Sequence, residues 1–290
     1  MAILRYLPAA SLLAGIARAS SGTFDFLTLN VAGLPEILNS NEVPGDKEDN
    51  AGYIGTHLAE GGFDVVHMQE DFNYHAYIYR TDNHTYRTAT SGGVPFGSGL
   101  NTVANYGWSS FERIKWDKCD IDEGDCLTPK GFTFMRMQIE DIEIDFYNLH
   151  ADAGSENGDA EARSAGVDQV LDYIEANSAD RAVIIGGDTN DRWTNAARSI
   201  DKYTDAGFED VWVQLINNGV YPTAGAAADP CGTPAASNTC EVVDKIFFRS
   251  GGGVTVDATS FTYASSTFVQ PDGNILSDHN PLLVNFAWTS

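Results

Sequence analysis

The sequence predicts an α+β fold in which two packed, mixed β-sheets are flanked by helices. Three observations predict it. Short apolar or alternating runs recur throughout the 290 residues. Helical patterns are few. The two kinds of segment do not alternate strictly, which favours sheets packed face to face with helices outside, in one domain. Hydrophobic residues make up 43% and charged residues 20%, an ordinary globular balance that can fill such a core.

In chain order, Phe24 to Asn30 alternates as a strand and ends at the turn Ala32-Gly33-Leu34-Pro35. Asp49 to Glu60 reads as a helix stopped by Gly61-Gly62, and Phe63 to Met68 as a short buried strand. Residues 71 to 110 are rich in Tyr, Thr, Asn and Gly and read as a long, partly irregular excursion. Phe132 to Gln138 and Ile142 to Leu149 are strands separated by the Glu140-Asp141 turn. Glu161 to Asn177 is the clearest helix, because Val167, Val170, Leu171 and Ile174 recur at helical spacing. Ala182 to Gly187 is a continuous buried strand. Phe208 to Ile216 reads as helix, and Val242 to Phe248, Val254 to Asp257 and Leu282 to Trp288 as strands.

Met1 to Ala19 has a lone Arg5, an apolar stretch and the small-x-small triplet Ala17-Arg18-Ala19, the pattern of a cleaved signal peptide. The expected mature domain is 20–290, secreted and monomeric, with no stable protein partner evident. In an oxidising compartment Cys119, Cys126, Cys231 and Cys240 favour two local disulfides, although four cysteines allow three connectivities. Asn83-His84-Thr85 is a glycosylation sequon. The net charge of −24 offers no basic stripe for a nucleic acid and repels anionic membranes at long range. It is compatible with a zwitterionic or small substrate.

Polar groups stand at the ends of the apolar strands. They are Asn30, Glu70 after His67-Met68-Gln69, Asn148 and His150 two apart on one strand face, Asp188 and Asn190 after Gly186-Gly187, Asp244 among apolar neighbours, and Asp278-His279. Taken singly, each has a structural reading: a turn cap, a solvated carboxylate, a satisfied histidine. Together they supply hard oxygen donors, which suit Mg²⁺ or a similar cation such as Mn²⁺ or Ca²⁺, and an imidazole that can take a proton from water.

The elements Leu29-Asn30-Val31, Gln69-Glu70, Asn148-Leu149-His150, Gly187-Asp188-Thr189-Asn190, Val243-Asp244-Lys245-Ile246-Phe247 and Ser277-Asp278-His279 occur in one order along the chain. In that order they resemble the endonuclease/exonuclease/phosphatase superfamily, from about Phe24 to Phe286. The resemblance implies a four-layer α/β/β/α sandwich, the DNase I-like fold. It implies Glu70 as principal metal ligand with Asn30 and Asp278 near the cation. It implies His279 as general base oriented by Asp244, and His150 as a phosphate contact or proton donor. Asp188 and Asn190 would hold the scissile phosphate and attacking water, and Asn148 and Lys130 would contact substrate. Lys130-Gly131-Phe132, Asn148 to Gly154 and Gly97-Ser98-Gly99-Leu100 resemble the sphingomyelinase branch. Thr189 and Lys245 depart from the pattern, and no aromatic hairpin for membrane entry is visible. The implied activity is a secreted, metal-dependent phosphodiesterase acting on a phospholipid headgroup. A DNase I-like nuclease is the alternative. An inositol-phosphate phosphatase, which needs a basic pocket, and a non-catalytic binding protein rank lower.

Overall fold

The computed structural model describes residues 19–38, 42–120, 126 and 128–290. The predicted leader, apart from Ala19, lies outside the described residues. The elements in order are β1 (Ser21–Asn30), α1 (Lys47–Gly61), β2 (Val65–Gln69), α2 (His75–Thr81), β3 (Tyr86–Arg87), β4 (Asn101–Ala104), β5 (Trp108–Lys115), β6 (Gly131–Ile139) and β7 (Ile142–His150). There follow α3 (Asn157–Ser178), β8 (Val183–Asp188), α4 (Asp201–Asp205), β9 (Glu209–Asp210), α5 (Val211–Leu215), β10 (Asp244–Arg249), β11 (Thr255–Tyr263) and β12 (Leu282–Thr289). They form two six-stranded sheets with strand orders β11-β12-β1-β2-β4-β3 and β5-β6-β7-β8-β10-β9. Each sheet is antiparallel except for one parallel pair, β1 with β2 and β7 with β8. This is the α+β sandwich that the sequence predicts.

Side-chain alternation along β1 shows how the layers form. Phe24 and Phe26 point between the sheets and meet Phe146 and Phe286, with ring centroids 5.4–6.2 Å apart. Leu27 and Leu29 point the other way and join Ile54 and Leu58 of α1. Both faces of β1 are therefore covered, and its second half is buried residue after residue. Asp46 caps α1 by accepting from the amides of Glu48 and Asp49, and Gly62 ends it at φ 62. Burying Ile54 or Leu58 in this way contributes about 1.5–3 kcal/mol each. On the far side, α3 lays Val167, Val170 and Ile174 on the second sheet, with Leu171 half-buried at the edge. The two sheets approach closely at Gly186, where a Cβ would lie 2.5 Å from the ring of Phe26.

Three expectations are sharpened or corrected. Residues 71 to 110, read as a partly irregular excursion, hold the elements α2, β3, β4 and the start of β5 between their loops. The four residues of β4 are too short, and α2 too mixed in polarity, for periodicity to reveal them. Phe208 to Ile216 is not one helix, because Asp210 ends β9 and its side chain accepts from the Val213 amide to start α5. The strand read over Val254 to Asp257 runs on to Tyr263, with a bulge between Ala258 and Ser260. The cysteines pair locally, Cys119 with Cys126 and Cys231 with Cys240. Asn83 is exposed just before β3.

His67, in β2, is wedged between the sheets with its ring 4.8 Å from that of Phe26 and 6.0 Å from that of Phe146. Its Nδ1 has no hydrogen-bond partner, and burial pushes its pKa down to about 3 despite a hydrogen bond to the Gly186 backbone. The folded value lies below the unfolded one. The neutral ring's contribution is therefore complete above about pH 6.5 and is withdrawn as pH falls toward 3. We expect His67→Gln to flatten the decline of the urea-unfolding free energy between pH 6.5 and 4, by up to about 1.4 kcal/mol per pH unit. Parallel curves for the two proteins would exclude this linkage.

Candidate active site

Strand register brings the polar strand ends together. Asn30 and Gln69 are level at the ends of the parallel pair β1–β2, and His150 and Asp188 are level at the ends of β7–β8. Antiparallel β10 places its first residue, Asp244, opposite Asp188. Antiparallel β12 starts with Leu282 opposite Thr28, so the segment before it, with Asp278 and His279, lies at the same edge. One end of both sheets thus collects residues from six distant stretches.

Glu70 follows β2 in the left-handed region at φ 55, a strained state for a residue with a side chain. Its neighbours leave space for that turn. A Cβ at Gly33 would collide with the Glu70 carbonyl, and one at Gly99, itself at φ 68, would lie 3.0 Å from the Glu70 Cα. The Asn30 Nδ2 donates to Glu70 Oε1 (3.1 Å) and to Asp188 Oδ2 (3.2 Å). Glu70 Oε2 is buried with no hydrogen-bond partner. Burial raises the Glu70 pKa, against the Asn30 hydrogen bond and the charges of Lys130 and His279.

His279 Nδ1 is 2.9 Å from Asp244 Oδ2, and its Nε2 is 3.7 Å from Asp188 Oδ2. Burial opposes its positive charge, but Asp244, Asp188, the hydrogen bond to Asp244 and Asp278 together hold its pKa well above the ordinary value. His150 is pushed the other way. Burial, with Lys130 next, takes it down to about 3, although its Nε2 lies 3.4 Å from Asp188. Two histidines a short distance apart are therefore held in opposite protonation states by their surroundings. The Asn190 amide nitrogen donates to Asp188 Oδ1 (2.9 Å), and its side chain donates to the Ala151 carbonyl (3.0 Å).

Some residues are placed differently from expectation. Asn148 is fully buried: its Nδ2 donates to the carbonyls of Met68 and Asn101, and its Oδ1 accepts from Gln69. No amide hydrogen is left for a substrate, so Asn148 ties the two sheets together beneath the site. Asn30 turns its nitrogen, not its oxygen, toward Glu70, while its Oδ1 accepts from Ala32 (3.0 Å). It acts here as a bridge between carboxylates rather than as an oxygen ligand. Asp278 is exposed at the rim, and its charge is felt at Glu70 and His279. Lys130 is buried beside the Ala151 carbonyl.

Other residues of the site have no role that the sequence assigns. Lys47, in the first turn of α1, is buried with its Nζ on the carbonyls of Ala32 and Leu34, within electrostatic reach of Glu70. Ser277 donates to the Asn30 carbonyl (2.6 Å) and accepts from the His279 amide (3.0 Å). The loop closed by Cys231–Cys240 braces the same segment: Thr233 donates to the Asp278 carbonyl, and Ala235 and Gly232 bond the Asn280 amide. Only a folded chain brings the Cys231–Cys240 loop, some 45 residues upstream, into contact with Asp278 and Asn280.

Among the described residues, Asp188, Asp244 and His279 offer three ligand atoms within 4.8 Å of one another. His279 Nδ1 is already committed to Asp244, so this trio reads better as a proton-handling unit than as a cation cage. The orphaned Oε2 of Glu70 fits a hard cation better: a buried carboxylate whose ionised form is disfavoured gains most from a positive neighbour.

The model of endonuclease/exonuclease/phosphatase family 2 matches residues 31–229. A sphingomyelinase from Mycobacterium tuberculosis is 36% identical over 282 residues, covering 93% of this chain and 54% of the relative. The chain spans about half the length of the curated relatives it matches. Among solved structures, D. rerio TDP2 complexed with a single-strand DNA product superposes with a TM-score of 0.67 at 18% identity, covering 91% of this chain and 98% of that one. A double mutant of beta toxin from Staphylococcus aureus with bound magnesium ions gives 0.65 at 17% identity, covering 91% and 99%. At these identities the likeness is one of fold.

In cation-free protein, the His279 ring should titrate well above pH 6.5 in nitrogen–proton correlation spectra, and Asp244→Asn should lower that value. A His279 that is neutral at pH 7, or unmoved by the substitution, would contradict the assigned electrostatics.

Proposed function

Because the chain belongs to the endonuclease/exonuclease/phosphatase family, we propose that it is a metal-dependent phosphodiesterase of the sphingomyelinase type, exported and acting outside the cell. The observation that carries this reading is the convergence of a buried, half-partnered carboxylate at Glu70 with the His279–Asp244 pair and with Asp188 at one sheet edge. A hard divalent cation such as Mg²⁺, held by Glu70 with Asp278 at the rim, would neutralise phosphoryl oxygens as a Lewis acid.

The chain's own residues do the rest. Asp244 fixes the Nδ1 side of His279 and stabilises its charged form, leaving Nε2 facing Asp188 and the reacting centre. His279 takes the proton of the attacking water once positive charge nearby offsets the pull of the carboxylates. His150, kept neutral, serves as a hydrogen-bond donor to a phosphoryl oxygen rather than as a charged acid. Asp188, pinned by Asn30 and Asn190, orients the water. Lys130 adds positive charge beside the phosphate. The 20–290 segment works as one catalytic unit, since both sheets contribute to the same site.

Two observations support a lipid surface. Ile37 and Leu38 are 93% and 62% exposed in the turn that follows Asn30, and Phe96 is 86% exposed in the turn before Gly99, against Glu70. These apolar tips stand on turns that follow Asn30 and precede Gly99 in the chain, and the net charge is −24, which suits a zwitterionic membrane better than an anionic polymer. Export is supported by the two local disulfides and by the leader pattern, with Asn83 exposed for glycosylation. Among the described residues, no helix is long and apolar enough to cross a membrane.

The test is a substrate panel of sphingomyelin vesicles, bis(p-nitrophenyl) phosphate and plasmid, each with and without EDTA. We expect phosphocholine release that EDTA abolishes and Mg²⁺ restores, with plasmid uncut. Glu70→Gln should lower kcat/KM by about 10³-fold, as should His279→Ala. Activity that survives full chelation would sink the mechanism, and cleavage of plasmid alone would select the nuclease reading. Phe96→Ser should weaken vesicle hydrolysis by about tenfold relative to the soluble diester; equal losses on both would remove the membrane role of that turn.

A further inference from the structure

A groove of about 330 Å³ opens beside Asn190, between the start of α3 and the segment after β8, and Arg163 and Arg192 line it. Arginines elsewhere are engaged: Arg136 with Asp145, Arg181 with Glu143, Arg87 with Asp82, and Arg249 over the ring of Phe208. The guanidinium of Arg192 has no hydrogen bond, ion pair or ring contact among the described residues, and its Nε is buried without a partner. This is unusual on a chain with 41 acidic residues against 17 basic ones.

The nearest acids are turned away. Asp191 Oδ1 accepts from the Arg192 and Asn195 nitrogens (both 2.9 Å), and its Oδ2 accepts from the Ser199 amide (2.7 Å). The Glu156 carboxylate caps α3. Arg163 is 4% exposed, its Nη1 donates to the carbonyls of Asp152 and Gly154, and it has no carboxylate partner among the described residues. Two guanidinium groups thus line a groove whose one lining carboxylate, Glu156 at the start of α3, pairs with neither of them. A half-buried, unpaired guanidinium presents its fork to an oxyanion, and a phosphoryl group matches that fork in shape and charge.

We propose that this groove is a second oxyanion subsite, anchored by Arg192, that binds the neighbouring phosphoryl group of a ligand carrying two, in addition to the single-phosphate substrate that the catalytic site takes. The proposal goes beyond the function above and rests on it only for placing the scissile phosphate at Asp188 and Asn190. A substrate with a single phosphate, such as a choline phospholipid, leaves the subsite to solvent. A phosphorylated headgroup or a nucleotide strand fills it.

Calorimetric titration in MgCl₂ with two ligand pairs tests this. Thymidine 5′-monophosphate is compared with thymidine 3′,5′-bisphosphate, and glycerophosphoinositol with its 4-phosphate. In at least one pair the added phosphate should tighten Kd by about tenfold or more. Arg192→Gln should remove that gain while leaving the affinity of the single-phosphate ligand within about twofold. Arg192→Lys, which keeps the charge but not the fork, should retain part of it. The pair that responds identifies the source of the second phosphate. No gain in either pair, or a gain that survives Arg192→Gln, overturns the subsite. Because the readout is binding, it stands apart from hydrolysis. A protein that cleaves no diester defeats the proposed function, whereas only a missing or Arg192-independent gain defeats the subsite.

Discussion

The Asn30 side chain joins the two sheets at the site. Its one amide nitrogen donates to Glu70, which belongs to the first sheet, and to Asp188, which belongs to the second. Two buried carboxylates that would otherwise repel each other are held at a fixed separation by a shared donor. The rest of the site is arranged around that bridge. Ser277 is fastened to the Asn30 carbonyl and in turn holds the His279 amide, so the proton-handling histidine is positioned by the same residue that sets the carboxylates. A donor with two acceptors in a low-dielectric site transmits position well, because either bond is costly to leave unmade.

Around this bridge, burial and neighbouring charge share the electrostatic work. Burial raises Glu70 and lowers His150, whereas Asp244 and Asp188 raise His279 against its own burial, all within one cluster. The difference between the two histidines is one of neighbours. His279 has Asp244 at hydrogen-bonding distance, while His150 has only the longer contact to Asp188, with Lys130 opposing it. Groups pushed apart in this way can divide labour between holding charge and donating a neutral hydrogen bond.

Rigidity comes from outside the site. Asn148 and Gln69 bind the two parallel strand pairs together one layer below. Glycines at positions 33 and 99 admit the left-handed turn of Glu70. The loop closed by Cys231–Cys240 presses on Asp278 and Asn280. Arg113 reaches from β5 to the Asn101 side chain across the sandwich, and Asn101 then holds the Asp71 carboxylate, next to Glu70 in sequence. These supports are cross-sheet, which explains why a sandwich rather than a single sheet carries the site.

Much of the fold was legible in the sequence. β1 announces itself by alternation and β8 by a continuous apolar run, and α3 does so because one covered face requires helical spacing. The short elements β3, β4 and β9 were hidden, since two to four residues carry no periodicity. The polar residues at strand ends were legible as a set, because a chain seldom places Asn, Glu, Asp and His there without a use for them. Their individual tasks were not. Asn148 and Asn30 are both amides at strand ends, yet one locks the sheets below the site and the other bridges carboxylates within it. Lys47 and Arg192 gave no sign at all, and Ser277 stood in its motif without a task. The sequence by itself determined which residues would reach the sheet edge, because strand period and chain order are local properties. Only the tertiary structure decided which hydrogen-bond partner each would find and which would be left without one, because those partners come from other strands, several of them in the opposite sheet, tens to hundreds of residues away.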